Sequence, residues 1–355
     1  MYEIVLGRKA ESSEVIENQL REHDSAISLV RSLCRSEEFA TRLKGEADRW
    51  LDAASSAYLG YRAEDLAIFD QFAGAAPEPA PGFVTDFHGS RARISSLWDG
   101  VQHLDGVVLS KPVPGDYHAE TAEWLGVLKA VLAAHGRFAA MELGAGMGPW
   151  LVASSTAARL RGIGNIRLLG VEADPSRFAS MRENFRDNGI DPDQHVLLCG
   201  GVSVVSGKAK WPRSADPRNV AGGRPVRRSQ IDESLDEQDL DYLEGMTDDL
   251  VDVDLVAFEE LLRYEPLWDL VHLDVQGTEV ELCAACLTML SRCVRYLVVG
   301  THSRKLDGDL LDLMFHAGWV LEHEKPARFV FNRQLRTLER MTSADGIQVW
   351  RNPNL

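Results

Sequence analysis

Glu142-Leu143-Gly144-Ala145-Gly146-Met147-Gly148-Pro149-Trp150 is the stretch on which the fold turns. It follows the short apolar run Phe138-Ala139-Ala140-Met141 and precedes a helical pattern that reaches Arg161. Glycines let a chain turn tightly from strand to helix and bring bare backbone against a ligand where a Cβ would collide. The spacing is G-x-G-x-G rather than the G-x-G-x-x-G of a dinucleotide pyrophosphate loop, and Glu142 stands two positions before the first glycine.

The same alternation continues outward. Ile166–Glu172 reads as a second strand followed by a helix over Ser176–Asn188, and His195–Cys199 as a third strand. Leu270–Asp274 is a fourth, with a helix to about Leu290, and Arg295–Gly300 a fifth, with a helix over Leu306–Ala317. Trp319–Glu322 and Ile347–Trp350 look like final strands. Strands alternating with helices predict a mostly parallel sheet covered on both faces, a doubly wound α/β fold. Ligands of such sheets sit at the carboxyl ends of the strands, where the glycine turn lies. The second strand ends in Glu172, whose carboxylate can accept both hydroxyls of a ribose, with Ala173 beside it.

A chain of 355 residues and 39.4 kDa exceeds what one core usually organises, so two domains are expected, one of them small. Residues 1–72 read as helical, from Ile16, Leu20, Ile27, Val30 and Leu33 and again from Trp50, Leu51, Leu59, Leu66 and Phe69. Residues 73–82 hold three prolines and read as a semi-rigid linker, leaving 83–355 as the α/β domain. Apolar content of 45% and charged content of 26% exclude disorder as the main state. No apolar run long enough to cross a bilayer is present, and the N-terminus carries no signal-peptide pattern. Five cysteines read as reduced thiols of a cytoplasmic protein, and a net charge of −16 argues against nucleic acid as a partner. Between Ile231 and Asp254 lie eleven acids and no Lys or Arg, just after a basic stretch from Gly207 to Gln230. These blocks read as a solvated surface excursion, or more sharply as a flap over a site.

The Glu-x-Gly-x-Gly-x-Gly pattern resembles that of S-adenosylmethionine-dependent methyltransferases. From about Phe83 onward the chain resembles the FkbM family of these enzymes. The matching segments are Phe83–Gly89, His118–Trp124, Glu142–Trp150, Val171–Ala173, Leu273–Glu279 and Gly300–Ser303. The resemblance implies a class I methyltransferase sheet that binds S-adenosylmethionine through Glu142, Gly144, Ala145, Gly146, Gly148, Glu172 and Ala173. It further implies methyl transfer to a hydroxyl of a sugar, polyketide or other secondary metabolite. The family usually reads Asp-x-Glu-Gly-x-Glu after strand four, and here Gln276 replaces the first glutamate. A non-catalytic cofactor binder of the same fold, or an NAD-type oxidoreductase, are the rival readings. The N-terminal Tyr2-x-x-x-Leu6-Gly7-Arg8 and Ser36-Glu37-Glu38-Phe39 are similar to a small helical module of bacterial glycan-modifying proteins, which implies docking or homo-oligomerisation.

Methyl transfer to a hydroxyl needs alignment and a group that takes the proton. Asp274, closing strand four, is expected to orient the acceptor, hold the cofactor amine or bind a divalent metal; capping the next helix is its structural alternative. His302, following strand five, is expected to be the general base, because an imidazole titrates near neutral pH. His118 is a second candidate base, and Tyr117 is expected to close the cofactor's methionine end. Glu279 reads equally as a site carboxylate or a solvated helix residue, and Trp150 as core. Cys283 and Cys286 have metal-type spacing, but no second ligand pair follows, so they read as buried thiols facing the sheet.

Overall fold

The computed structural model describes residues 60–72, 77–112, 121–212, 223–225, 250–335 and 341–355, with positions 12, 17, 18, 21, 29, 32 and 33 before them. The chain divides into two compact units, Met1–Ala63 and Glu64–Leu355. The helical reading of the N-terminus falls mostly outside the described residues. The division falls ahead of the expected linker at 73–82, of which 73–76 lie outside the described residues. Ala63–Gln71 forms a 3₁₀ helix of the larger unit, in which Phe69 and Phe72 are each 1% exposed. The Phe69 ring meets Phe87 edge-on at 5.4 Å. The prolines suggested a spacer, but the two phenylalanines before them belong to the core.

The larger unit is built on a seven-stranded sheet: β1 Arg137–Leu143, β2 Asn165–Glu172, β3 Val196–Cys199, β4 Trp268–Leu273, β5 Val294–Thr301, β6 Val320–Lys325 and β7 Gly346–Arg351. Its order is β6-β7-β5-β4-β1-β2-β3. The pairs from β5 through β4, β1 and β2 to β3 are parallel, and β7 runs antiparallel to both β5 and β6. Strands β1, β4 and β5 are buried along nearly their whole length, as expected of apolar runs covered on both faces. The helices are α1 Thr121–Ala133, α2 Pro149–Leu160, α3 Pro175–Asp187, the short α4 Phe258–Leu262, α5 Glu279–Cys293 and α6 Arg304–His316. Gly126 brings α1 so close to the sheet that a Cβ there would lie 2.8–2.9 Å from the Val298 and Val349 side chains.

The charge blocks form, at their described ends, the two arms of one antiparallel pair, Gly207–Pro212 with Leu250–Ala257. Lys210 meets Asp252 at 2.8 Å, and Lys208 pairs with Asp254. Opposite charges therefore zip across the arms. No described helix is long and apolar enough to cross a membrane. This sheet order, with a reversed last strand inserted between β5 and β6, is the Rossmann-like class I methyltransferase fold.

Candidate functional site

The glycine turn joins β1 to α2 at the carboxyl edge of the sheet. Gly144 has φ +74°, and a Cβ there would stand 1.8 Å from the backbone oxygen of Asp274, so turn and strand β4 touch backbone to backbone. Gly148, also left-handed, abuts Met181 and Phe185 of α3. Gly146 differs, because a Cβ there would approach only Arg177 Nη1 at 3.9 Å, which leaves that side of the turn open for a ligand. Its N–H donates to Glu172 Oε2 at 2.6 Å, and the Asp174 N–H donates to Oε1 at 2.7 Å. Burial pushes the Glu172 carboxyl up, while those two N–H bonds and Arg177 counteract it. A carboxylate accepts about four hydrogen bonds, so both oxygens keep capacity toward a ribose. Ala145 is 2% exposed and donates its N–H to the Val171 carbonyl; Ala173 packs with Trp211, Val253 and Leu255.

Glu142 is placed differently from expectation. Its side chain is buried and turned to the start of α2, where Oε2 accepts the Leu151 N–H at 2.9 Å and Oε1 the Trp150 N–H at 3.4 Å. Gly148 at the N-cap has no side chain, so the strand carboxyl satisfies helix N–H groups that would otherwise be orphaned. Burial pushes this carboxyl up to about 7, against the pull of His272 and the two N–H bonds. His272 sits beside it in register on β4 and bonds through Nε2 to Glu123 Oε1 on α1 at 3.0 Å. Burial alone would lower the His272 pKa, but Glu123, Glu142 and Asp274 raise it. Sequence reading missed this buried pair. His272 lies within a largely apolar strand, and Glu123 is 149 residues away, so no local pattern joins them.

Three of the residues singled out in the sequence converge where β4 and β5 end. Asp274 does not cap α5, whose N-cap is Thr278; instead its Oδ1 lies 3.1 Å from His302 Nε2. His302 Nδ1 is 2.7 Å from Glu279 Oε1, and Glu279 is fully buried, reaching back to the Gly277 N–H. Glu279 is thus no solvated helix carboxylate. Burial would lower the imidazole pKa, but Asp274 and Glu279 outweigh it and push it up to about 11. A ring that holds its proton at pH 7 has no lone pair to offer as a base. Burial would raise the Asp274 carboxyl, yet His302, His272 and Arg177 hold it below the usual carboxylate range. Gln276 has φ +54°, uncommon for a residue with a Cβ, and its amide sits 2.7 Å from His302 Nε2. A doubly protonated ring requires that amide to present its oxygen there.

Asp274, Glu279 and His302 are also the group among the described residues whose ligand atoms, within 4.8 Å of one another, could hold a metal ion. As arranged, Nδ1 points at Glu279 and Nε2 lies between Asp274 and the Gln276 amide, so a cation would have to displace the Nε2 proton. Tyr117 and His118 lie outside the described residues. Trp150 is core, as read: its ring meets Trp124 at 5.2 Å and His272 at 5.5 Å. Cys283 and Cys286 are buried thiols, with burial pushing Cys286 up to about 11. A cavity of about 150 Å³ lies between the segment around Arg91–Trp98 and α2, touching the glycine turn at Met147.

No family model matches the chain. A protein of Jannaschia sp. (strain CCS1), described as "Putative methyltransferase", is 30% identical over 257 residues, covering 72% of this chain and 89% of that protein. Among solved structures, a precorrin-6y C5,15-methyltransferase from Geobacter metallireducens GS-15 aligns over 68% of this chain and 93% of its own, at 11% identity and a TM-score of 0.34. A ribosomal protein L11 methylase from Lactobacillus delbrueckii subsp. bulgaricus aligns over 70% and 85%, at 10% identity and a TM-score of 0.34. Both structural likenesses are distant and bear on no residue of the site. The Jannaschia relative is matched along most of its length, and the chain belongs to its methyltransferase family.

Proposed function

We propose that the protein is an S-adenosylmethionine-dependent O-methyltransferase whose acceptor is a hydroxyl of a sugar or glycosylated secondary metabolite. The observation that carries the reading is the seating of Asp274. Its backbone oxygen touches Gly144 of the turn, while its carboxylate, 43% exposed, opens at the same edge against His302. When bound, S-adenosylmethionine supplies an electrophilic methyl carbon on a sulfonium. Gly146 leaves room for it, and Glu172 offers acceptor oxygens for its ribose. Asp274, ionised at neutral pH, takes the hydroxyl proton as the oxygen attacks. His302 is the positioning residue in this scheme: its charge and Nε2–H face the Asp274 carboxylate, while Glu279 holds the ring through Nδ1. The FkbM resemblance supports hydroxyl and carbohydrate as the acceptor class.

The test uses labelled S-adenosylmethionine and a panel of sugars and glycosylated metabolites. The reading expects label on a hydroxyl oxygen of one class. It also expects Asp274→Asn to cut turnover by about 10²–10⁴ with little change in cofactor affinity. Label appearing on nitrogen or carbon would overturn O-methylation, and undiminished turnover of the variant would overturn the role of Asp274.

A further inference from the structure

Strand β6 is antiparallel to β7, which is antiparallel to β5, so β5 and β6 run the same way. The connection from β6 to β7 therefore leaves the sheet at the edge where Asp274 and His302 stand. It rises as a hairpin in which Arg328–Phe329 pairs with Thr342–Ala344, extended by the Val330 N–H bond to the Met341 carbonyl. Its base is fixed. The Ala327 N–H donates to Asp307 Oδ2 at 2.8 Å, the Ser343 hydroxyl to the Arg328 carbonyl at 3.3 Å, and Gly346 pairs with Thr301, next to His302.

The arm above this base is built unlike the rest of the surface. Phe329, Val330 and Phe331 are consecutive and 40%, 57% and 66% exposed. Consecutive residues of an extended chain point to opposite sides, so both sides of the arm present partly exposed apolar groups. From Lys325 to Leu335 the chain carries Lys325, Arg328 and Arg333 and no acid, within a protein of net charge −16. Arg328 and Arg333 are exposed, as is Arg304, which reaches the hairpin base at the Ala327 carbonyl.

We propose that this hairpin docks the open edge of the sheet onto an anionic lipid surface, with Phe329, Val330 and Phe331 entering the headgroup layer and Arg328 and Arg333 meeting lipid phosphates. Apolar side chains flanked by basic residues are what such a surface retains, each basic residue contributing about a fivefold gain in affinity. A nucleic-acid platform would set aromatic faces on one side of the arm and has no use for an aliphatic Val330 on the other. Docking stands apart from the acceptor assigned above. It is read out without turnover, so either can fail alone.

The experiment is co-sedimentation of the full chain with phosphatidylcholine vesicles and with vesicles of equal parts phosphatidylcholine and phosphatidylglycerol. The expected result is binding to the anionic vesicles, at least about tenfold weaker to the neutral ones and weakened by salt. Phe329→Ser with Phe331→Ser, and separately Arg328→Glu with Arg333→Glu, should each lower binding about tenfold or more while melting stays at the wild-type temperature. If the phenylalanine pair disturbs melting, the surface arginine pair decides. Absence of binding to anionic vesicles, or wild-type binding by the arginine pair, overturns the proposal. Binding of single-stranded RNA that the same substitutions abolish, without vesicle binding, overturns it in favour of a nucleic acid.

Discussion

His302 shows how far a residue's neighbours decide its chemistry. Its position after β5 was legible in the sequence, but its protonation was not, because the burial of Glu279 depends on how α5 seats on the sheet. The folded pKa of about 11 stands above the ordinary 6.5, so the ring favours the folded state fully below pH 6.5. That contribution falls away as pH rises toward 11. His302→Asn leaves Glu279 buried without its cation, and should cost about 3–5 kcal/mol in denaturant unfolding at pH 7. The variant's melting temperature should also fall less than the wild type's between neutral and alkaline pH. An unchanged alkaline slope would show that the ring is not held protonated. Glu142 works in a lower window. Its raised folded pKa of about 7 against 4.5 means its contribution to stability is full below pH 4.5 and is lost as pH rises through 7. Glu142→Gln should flatten melting between those values; a slope identical to wild type would place the buried charge elsewhere.

At the level of elements, the sheet was largely readable. Parallel strands buried on both faces are mostly apolar, and the apolar runs within β1, β2, β4 and β5 make them readable. The glycine turn was readable too, but not the division of labour within it. Gly144 serves contact with the Asp274 carbonyl, Gly148 serves packing on Met181 and Phe185, and only Gly146 leaves open space. Gly144→Ala should therefore unfold the turn and with it the protein, since the clash is with backbone that cannot move aside. Gly146→Ala should melt within a few degrees of wild type, the left-handed φ costing about 1–2 kcal/mol, while cofactor affinity falls. Reversed severities, read by thermal melts and calorimetry, would contradict this assignment. Motif spacing does not distinguish a carboxyl facing a cofactor from one facing the next helix, and the Glu142 carboxylate accepts the Trp150 and Leu151 N–H groups of α2.

For the whole molecule, composition suggests a boundary at the prolines, while the compact units divide at Ala63 and Glu64. A chain beginning at Glu64 should fold with its methyltransferase unit intact. One beginning at Pro81 loses Phe69 and Phe72, each worth about 1.5–3 kcal/mol of burial, and should melt measurably lower; equal melting temperatures would restore the proline boundary. The central claim is that the open turn at Gly146 and the Glu172 carboxylate receive S-adenosylmethionine. Calorimetric titration of the full chain with S-adenosylmethionine and with NAD tests it most directly. The account predicts one S-adenosylmethionine bound per chain and no saturable NAD binding. It also predicts that Glu172→Ala weakens the former by roughly 1.5–3 kcal/mol, the worth of hydrogen bonds to a charged group. Saturable NAD binding in its place, or unchanged S-adenosylmethionine affinity in the variant, would contradict it.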